Sequence, residues 1–227
     1  MTAHRVLVVD DEPQIQRFLK PSLGAAGYEV IAAVNGSQAL KAAATQAPDI
    51  ILLDLGLPDM DGKDVIAELR TWSKVPIVVL SARDREAEKI AALDLGADDY
   101  VNKPFGIGEL MARLRTALRH ATQSAGQVAQ VVSGDLVIDI AAHSVTRSGT
   151  PIKLTPKEFE LLAILARNAE RVVTHRQILT SVWGPAHTED LQYLRVFIGQ
   201  LRQKLKRKPD DVELIQTEAG IGYRLVP

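Results

Sequence analysis

"DIILLDLGLPDMDG" (residues 49–62) decides the fold. Its four apolar residues, Ile50 to Leu53, show no polar alternation and so read as a strand buried on both faces of a sheet. The run nevertheless ends in a carboxylate, Asp54, and burying an ionised carboxylate is costly unless a cation or a set of donors meets it. Either Asp54 is a loop acid that follows a strand, or the fold brings a partner to it. The rest of the chain has to decide.

Similar short apolar runs stand at "RVLVV" (5–9), "EVIAAV" (29–34), "PIVVL" (76–80) and "DYVN" (99–102). Stretches of helical character, rich in Ala and Leu, separate them at 13–26, 37–47, 63–72, 84–95 and 107–120. Five β-α units with two-faced strands predict a doubly wound, five-stranded parallel sheet over residues 1–120, an α/β domain. Next comes "ATQSAGQVAQ" (121–130), small and polar, which places a linker over 121–132.

Beyond the linker the periodicity changes. "DLVIDIAAHSVTRSGTPIKL" (135–154) alternates and carries a Ser148-Gly149 turn, as antiparallel strands do. Thr155 then caps a helix, with Pro156 in its first position and Glu158 at capping-box spacing. A second helix follows Thr174 and a third starts near Glu189. The end, "VELIQTEAGIGYRLVP" (212–227), reads as a hairpin with Gly220 and Gly222 at its turn. Residues 133–227 are therefore expected to form an α+β domain with an N-terminal antiparallel sheet.

Composition narrows the function classes. The 227 residues are 46% hydrophobic with mean hydropathy +0.01, as in a globular protein with real cores. Cysteine is absent, which excludes disulfides and thiolate metal sites and fits a reducing cytosol. No run approaches the ~18 consecutive apolar residues of a membrane span. The apolar stretch in "MTAHRVLVVDDE" is also shorter than a signal peptide needs. The expectation is a cytoplasmic protein without a membrane partner.

A net charge of −1 hides an asymmetry. Residues 1–120 carry 14 basic against 17 acidic side chains, and residues 121–227 carry 13 against 11. Basic charge concentrates in "LQYLRVFIGQLRQKLKRK" (191–208), which has no acid. A slightly acidic front and a locally basic back suggest different partners for the two halves.

Polar residues end the strands of the first half: Asp10 and Asp11 the first, Asp54 the third, Ser81 the fourth and Lys103 the fifth. In an open α/β sheet, ligands bind outside those carboxyl ends. Three converging carboxylates would repel one another and raise their pKa values, and a hard divalent cation such as Mg²⁺ removes the conflict. A carboxylate in such a pocket can accept a phosphoryl group. The metal, Lys103 and the Ser81 hydroxyl would then meet the phosphoryl oxygens. Taken alone, each of these residues is more often a loop acid or a solvated lysine; the joint pattern at four strand ends carries the reading.

"VLVVDDE" (6–12), "LLDLGLPDMDG" (52–62), "LSAR" (80–83) and "GADDYVNKPF" (96–105) together resemble the receiver domain of two-component response regulators. The resemblance implies that Asp54 is the phospho-acceptor of one Mg²⁺-binding site per receiver. Asp11 would be a direct metal ligand, Asp10 would act mainly through water, and the Gly56 carbonyl would complete the set. It further implies that Ser81 and Tyr100 form a switch pair, and that the Lys103–Pro104 bond is cis. The implied partner is a sensor histidine kinase.

Charged residues around the fourth and fifth helices resemble the dimer surface of the winged-helix regulators. By that resemblance Lys89–Glu109, Asp99–Arg113 and Asp94–Arg115 pair across a two-fold axis around Ile90, Leu93 and Met111 in an activated homodimer. In the third helix of the second half, Leu191, Leu194, Ile198, Leu201 and Leu205 form a core stripe. Gln192, Arg195, Gly199, Gln200 and Arg202 face elsewhere and suit the major groove of double-stranded DNA, while Lys204, Lys206, Arg207 and Lys208 extend the basic tract. "THRQILTSVWG" (174–184) and "TEAGIGYRL" (217–225) complete a resemblance to the winged-helix output domain of the OmpR/PhoB subfamily. That resemblance implies promoter binding, with RNA polymerase as a further partner; for Arg224 a backbone contact and a structural role both stand. Glu218-Ala219 stands where many relatives carry a basic wing residue, so the wing is expected to add less to affinity here. Within the subfamily the whole chain looks most similar to regulators of potassium transport.

An aspartyl-phosphate hydrolase needs a general acid two residues beyond its nucleophile, and here that position is Gly56. An enzyme is therefore not expected beyond the chain's own phosphoryl chemistry. The remaining rival is a constitutive DNA-binding protein whose receiver is only structural.

Overall fold

The computed structural model describes residues 3–82, 86–123, 130–206 and 213–227. They form two compact units, residues 1–122 and 123–227. In the first, strands β1 (Arg5–Val9), β2 (Glu29–Ala33), β3 (Ile50–Asp54), β4 (Ile77–Ala82) and β5 (Asp99–Lys103) alternate with helices. These are α1 (Pro13–Ala25), α2 (Gly36–Gln46), α3 (Gly62–Trp72), α4 (Glu86–Asp94) and α5 (Ile107–Gln123). The strands pair in parallel in the order β2-β1-β3-β4-β5.

Two-faced burial explains the apolar runs. Val6, Val8, Ile50, Leu52, Val78 and Leu80 pack against Leu19 and Leu23 of α1 and Leu110 and Leu114 of α5. The intervening Leu7, Val9, Ile51 and Leu53 are equally buried, on the side covered by α2, α3 and α4. Each such side chain contributes about 1.5–3 kcal/mol by leaving water. Side-chain caps set two of the helix starts: Asn35 accepts from the Gln38 N–H (2.8 Å) at α2, and Asp61 accepts from the Lys63 N–H (2.8 Å) at α3. The strand order reverses between β1 and β3, so the crevice at their carboxyl ends is the natural ligand site.

In the second unit β6 (Gln130–Ser133), β7 (Leu136–Asp139), β8 (Ser144–Arg147) and β9 (Thr150–Pro151) form the antiparallel sheet. Then follow α6 (Pro156–Arg167), β10 (Val172–Thr174), α7 (His175–Trp183), a short 3-10 turn at Pro185–His187, α8 (Leu191–Leu205), β11 (Ile215–Glu218) and β12 (Gly222–Leu225). Capping boxes start α6, between Thr155 and Glu158, and α7, between Thr174 and Gln177. Leu161, Leu162, Leu165, Ile178, Leu179, Leu194, Ile198 and Leu201 of the three helices share one core with Ile138, Val145, Tyr223 and Leu225 of the sheets.

The fold differs from the sequence expectation in three places. Strand β6 begins at Gln130, inside the stretch assigned to the linker, and residues 124–129 of that stretch lie outside the described residues. Strand β10 was not foreseen. Its three residues are too few to alternate visibly, and they are recruited only by pairing with β12. Gly222 is the first residue of β12 rather than part of the turn. Only Gly220 there has the positive φ (+70°) of a turn glycine. Gly222 is required because a Cβ would lie 2.0 Å from the Val173 carbonyl oxygen.

Candidate functional site

Parallel register assembles the first site. Asp54 lies opposite Leu80, Ser81 opposite Asn102, and Ala82 opposite Lys103, so all three functional positions reach the same edge of the sheet. Lys103 Nζ lies 2.6 Å from Asp54 Oδ1, 2.9 Å from Asp10 Oδ2 and 3.1 Å from Glu12 Oε1. That answers the opening puzzle within the chain itself, because the ammonium is the cation that meets the Asp54 carboxylate. The contact to Glu12 was not anticipated. Glu12 directly follows the paired acids, and that adjacency was the only signal for it.

Asp10 is fully buried. Burial pushes its carboxyl above the ordinary value, although Lys103 and the Glu12 backbone N–H act in the opposite direction. For Lys103, burial works against the charge but is outweighed by Asp54 and Asp10, which drive its pKa up. The ammonium is therefore fixed at any physiological pH.

Asp11, Glu12, Asp54, Gly56, Ser81 and Lys103 line an open cavity of about 240 Å³. Glu88 of α4 also reaches it. Among the described residues no three acidic or histidine side chains gather as a metal centre by themselves, since Lys103 stands between the carboxylates. The donor set nevertheless fits a hard cation. Asp11, Asp54 and Gly56 offer only oxygen at one open cavity, as Mg²⁺ requires.

Ser81 is buried and its hydroxyl donates to the Ala82 carbonyl (3.3 Å). Tyr100 is buried too, with the Lys89 ammonium 5.4 Å from its ring centre. The Lys103–Pro104 bond is cis. Arg83 of the "LSAR" motif lies outside the described residues.

Several residues of the dimer face expected from sequence have partners within the single chain. Lys89 and Asp99 are buried, and Asp99 pairs with Arg113 of the same chain at 3.1 Å. Leu93 and Met111 are buried, Met111 in the first unit's own core, because α4 and α5 turn those positions toward the sheet. Glu109 and Arg115 are exposed, and Ile90 and Asp94 are half-buried.

In the second unit α8 buries Leu194, Ile198, Leu201 and Leu205 and leaves Gln192, Arg195, Gly199 and Gln200 exposed on one side. Arg202, Lys204 and Arg224, named from sequence as candidate DNA contacts, all have partners within the chain. Arg202 donates to the Ile215 carbonyl (2.9 and 2.7 Å) and to Thr217 Oγ1 (2.7 Å), and it pairs with Glu213 (3.0 Å). Lys204 pairs at 2.6 Å with Glu158, the buried capping acid of α6. Arg224 is buried, bound to Glu218 (2.9 Å) and the Glu170 carbonyl (2.5 Å). The physical reason is shared: these long side chains fold back onto carboxylates and carbonyls that the tertiary structure brings within reach. Arg207 and Lys208 lie outside the described residues.

A doubly wound sheet with an acid–lysine pocket at its switch point, joined to a winged-helix domain with an N-terminal four-stranded sheet, defines a DNA-binding response regulator. The comparisons agree. Residues 6–115 match the response regulator receiver domain, and residues 149–225 match the transcriptional regulatory protein C-terminal domain. The chain belongs to the response regulators of the OmpR/PhoB type and regulates transcription.

It is 51% identical to the KDP operon transcriptional regulatory protein KdpE of Escherichia coli, over 97% of this chain and 98% of that protein. It is 48% identical to KdpE of Mycobacterium tuberculosis over 96% of this chain and 97% of that protein. The response regulator DrrB of Thermotoga maritima, an OmpR/PhoB homologue, superposes with a TM-score of 0.51 and 28% identity, covering 99% of this chain and all of that one. No helix among the described residues is long and apolar enough to cross a membrane.

Proposed function

We propose that Asp54 accepts a phosphoryl group from a sensor histidine kinase and that this event gates binding to promoter DNA. An Asp54 carboxylate oxygen bonds to phosphorus while the bond from phosphorus to the imidazole nitrogen breaks, the electron pair staying on that nitrogen. The observation that carries this reading is the Asp54–Lys103–Asp10 cluster at a solvent-open cavity beside Ser81. Lys103 offsets charge on the phosphoryl oxygens, and Ser81 can turn its hydroxyl from the Ala82 carbonyl toward them. Asp11, Asp54 and the Gly56 carbonyl would hold one Mg²⁺, with Asp10 acting through water. When bound, the cation supplies electrostatic stabilisation of the same oxygens.

Movement of Ser81 would free Tyr100 and Lys89 to change partners, coupling the pocket to the α4–β5–α5 face. In the activated homodimer Arg113 would exchange its bond to Asp99 for the equivalent bond in a second copy, and Lys89 and Arg115 would likewise meet Glu109 and Asp94. The DNA-reading set is Gln192, Arg195, Gly199 and Gln200. Given the likeness to KdpE, a potassium-transport promoter is the target we propose, with RNA polymerase as partner and the cytoplasm as the place of action.

The test is phosphoryl uptake. Wild type and Asp54→Asn are incubated with a small phosphoryl donor and Mg²⁺, separated by phosphate-affinity electrophoresis, and assayed on promoter DNA. Mg²⁺-dependent uptake confined to wild type, with tighter DNA binding, is expected. Equal DNA binding by both proteins would instead favour a constitutive regulator with a structural receiver.

A further inference from the structure

The loop between β3 and α3 carries Gly56 and is closed at its base, where the Gly62 N–H donates to the Leu55 carbonyl (2.9 Å) and Gly56 bridges Asp61. Its tip is held by a different part of the chain. Asp59 accepts the Gly36 N–H on Oδ1 (2.8 Å) and the Ser37 N–H on Oδ2 (2.9 Å). These two amides open α2 and have no partner within their own helix, so the carboxylate both satisfies them and complements the positive helix end. The next amide, Gln38, is already taken by Asn35. Beside this contact, Met60 fills the space that a side chain on Gly36 would need, because a Cβ there would lie 2.4 Å from Met60 Cγ. The loop tip is thus clasped to α2 by two hydrogen bonds and one packing contact.

We propose that Asp59 and Gly36 form a positioning clasp that fixes the Gly56 carbonyl for the cation. The inference rests on the cation reading of the pocket given above. Asp59 is a positioning residue: it lines no part of the cavity and acts through the backbone that links it to Gly56. Without the clasp, residues 57–60 would be tied only at the base, and the entropy of the freed segment would be lost again on each binding event.

Binding of Mn²⁺, used as the probe, is followed in the full-length protein by the electron paramagnetic resonance signal of the free ion. Asp59→Ala should weaken binding by about tenfold, the lower end for residues that orient metal ligands. Gly36→Ala, which acts from the other side by displacing Met60, should weaken it in the same direction. Asp49→Ala is the control, because Asp49 accepts the Arg5 N–H (2.7 Å) at the opposite end of the sheet. It should lower thermal stability comparably and leave Mn²⁺ affinity unchanged. If Asp59→Ala and Gly36→Ala lose stability yet bind Mn²⁺ as wild type does, the clasp is merely structural and the proposal falls. If wild type takes up no Mn²⁺, the cation site itself is overturned, and this inference with it.

Discussion

Lys103 illustrates how one side chain makes a pocket possible. Three acids approach it, and the fully buried one, Asp10, would be costly without the ammonium at 2.9 Å. Glu158 repeats the logic in the second unit. Burial raises its carboxyl pKa, but the Lys204 ammonium and the Thr155 backbone N–H outweigh that and hold it below its ordinary 4.5. A carboxyl depressed in the folded state contributes stability above its unfolded value, and loses that contribution as pH falls through the folded value. Lys204→Met should therefore cost about 1–2 kcal/mol at pH 7, a range set by the 37% exposure of the lysine. It should also shrink the acid-side loss of stability. Urea unfolding between pH 7 and 3 measures both, and an unaltered acid limb would contradict the pairing. Gly222→Ala should cost more, about 3 kcal/mol, because the backbone of β10 cannot yield 1 Å or more without breaking its pairing to β12.

At the scale of elements, α8 separates roles that sequence alone merges. Arg195 is exposed and Arg202 is bound to β11, so their alanine variants should behave differently. Arg195→Ala should weaken binding to a selected duplex by about 1–3 kcal/mol with an unfolding midpoint close to wild type. Arg202→Ala should lower stability by about 1–2 kcal/mol, with DNA affinity following only as far as the helix moves. Fluorescence anisotropy and urea titration on the same two proteins separate the cases. Ala219 is exposed in the turn between β11 and β12, whereas Arg224 of β12 is buried and bound to Glu218. Ala219→Arg should accordingly tighten binding and steepen the salt dependence by about 0.9 in log–log slope. An unchanged slope would mean that the wing tip does not reach a phosphate.

For the whole molecule the question is how the pocket controls assembly. Asp99 and Arg113 are paired within the single chain, so a dimer that used them across a two-fold must first break that bond. Sedimentation with and without Mg²⁺ and beryllofluoride, a phosphoryl mimic, tests this directly. Wild type should shift from monomer to dimer and Asp54→Asn should not. If neither protein changes mass, activation works by another route and the α4–β5–α5 face is not its dimer surface.

The sequence by itself determined the two folds, because periodicity is local. Two-faced runs such as Ile50–Leu53 have one stable use, in a covered parallel sheet, and Thr155 with Glu158 announces a helix start wherever it occurs. It also placed Asp54, Ser81 and Lys103 together, since polar groups that end neighbouring parallel strands share an edge, though not Glu12 or Glu88 of the same cavity. Only the tertiary structure decided which long charged side chains are tied up within the chain. Arg202, Lys204, Arg224 and Arg113 look alike in sequence to Arg195, and what distinguishes them is a carbonyl or carboxylate supplied by a distant segment. Likewise β10 and the Asp59 clasp depend on partners more than twenty residues away, and a local pattern carries no signal for an interaction whose other half lies elsewhere in the chain.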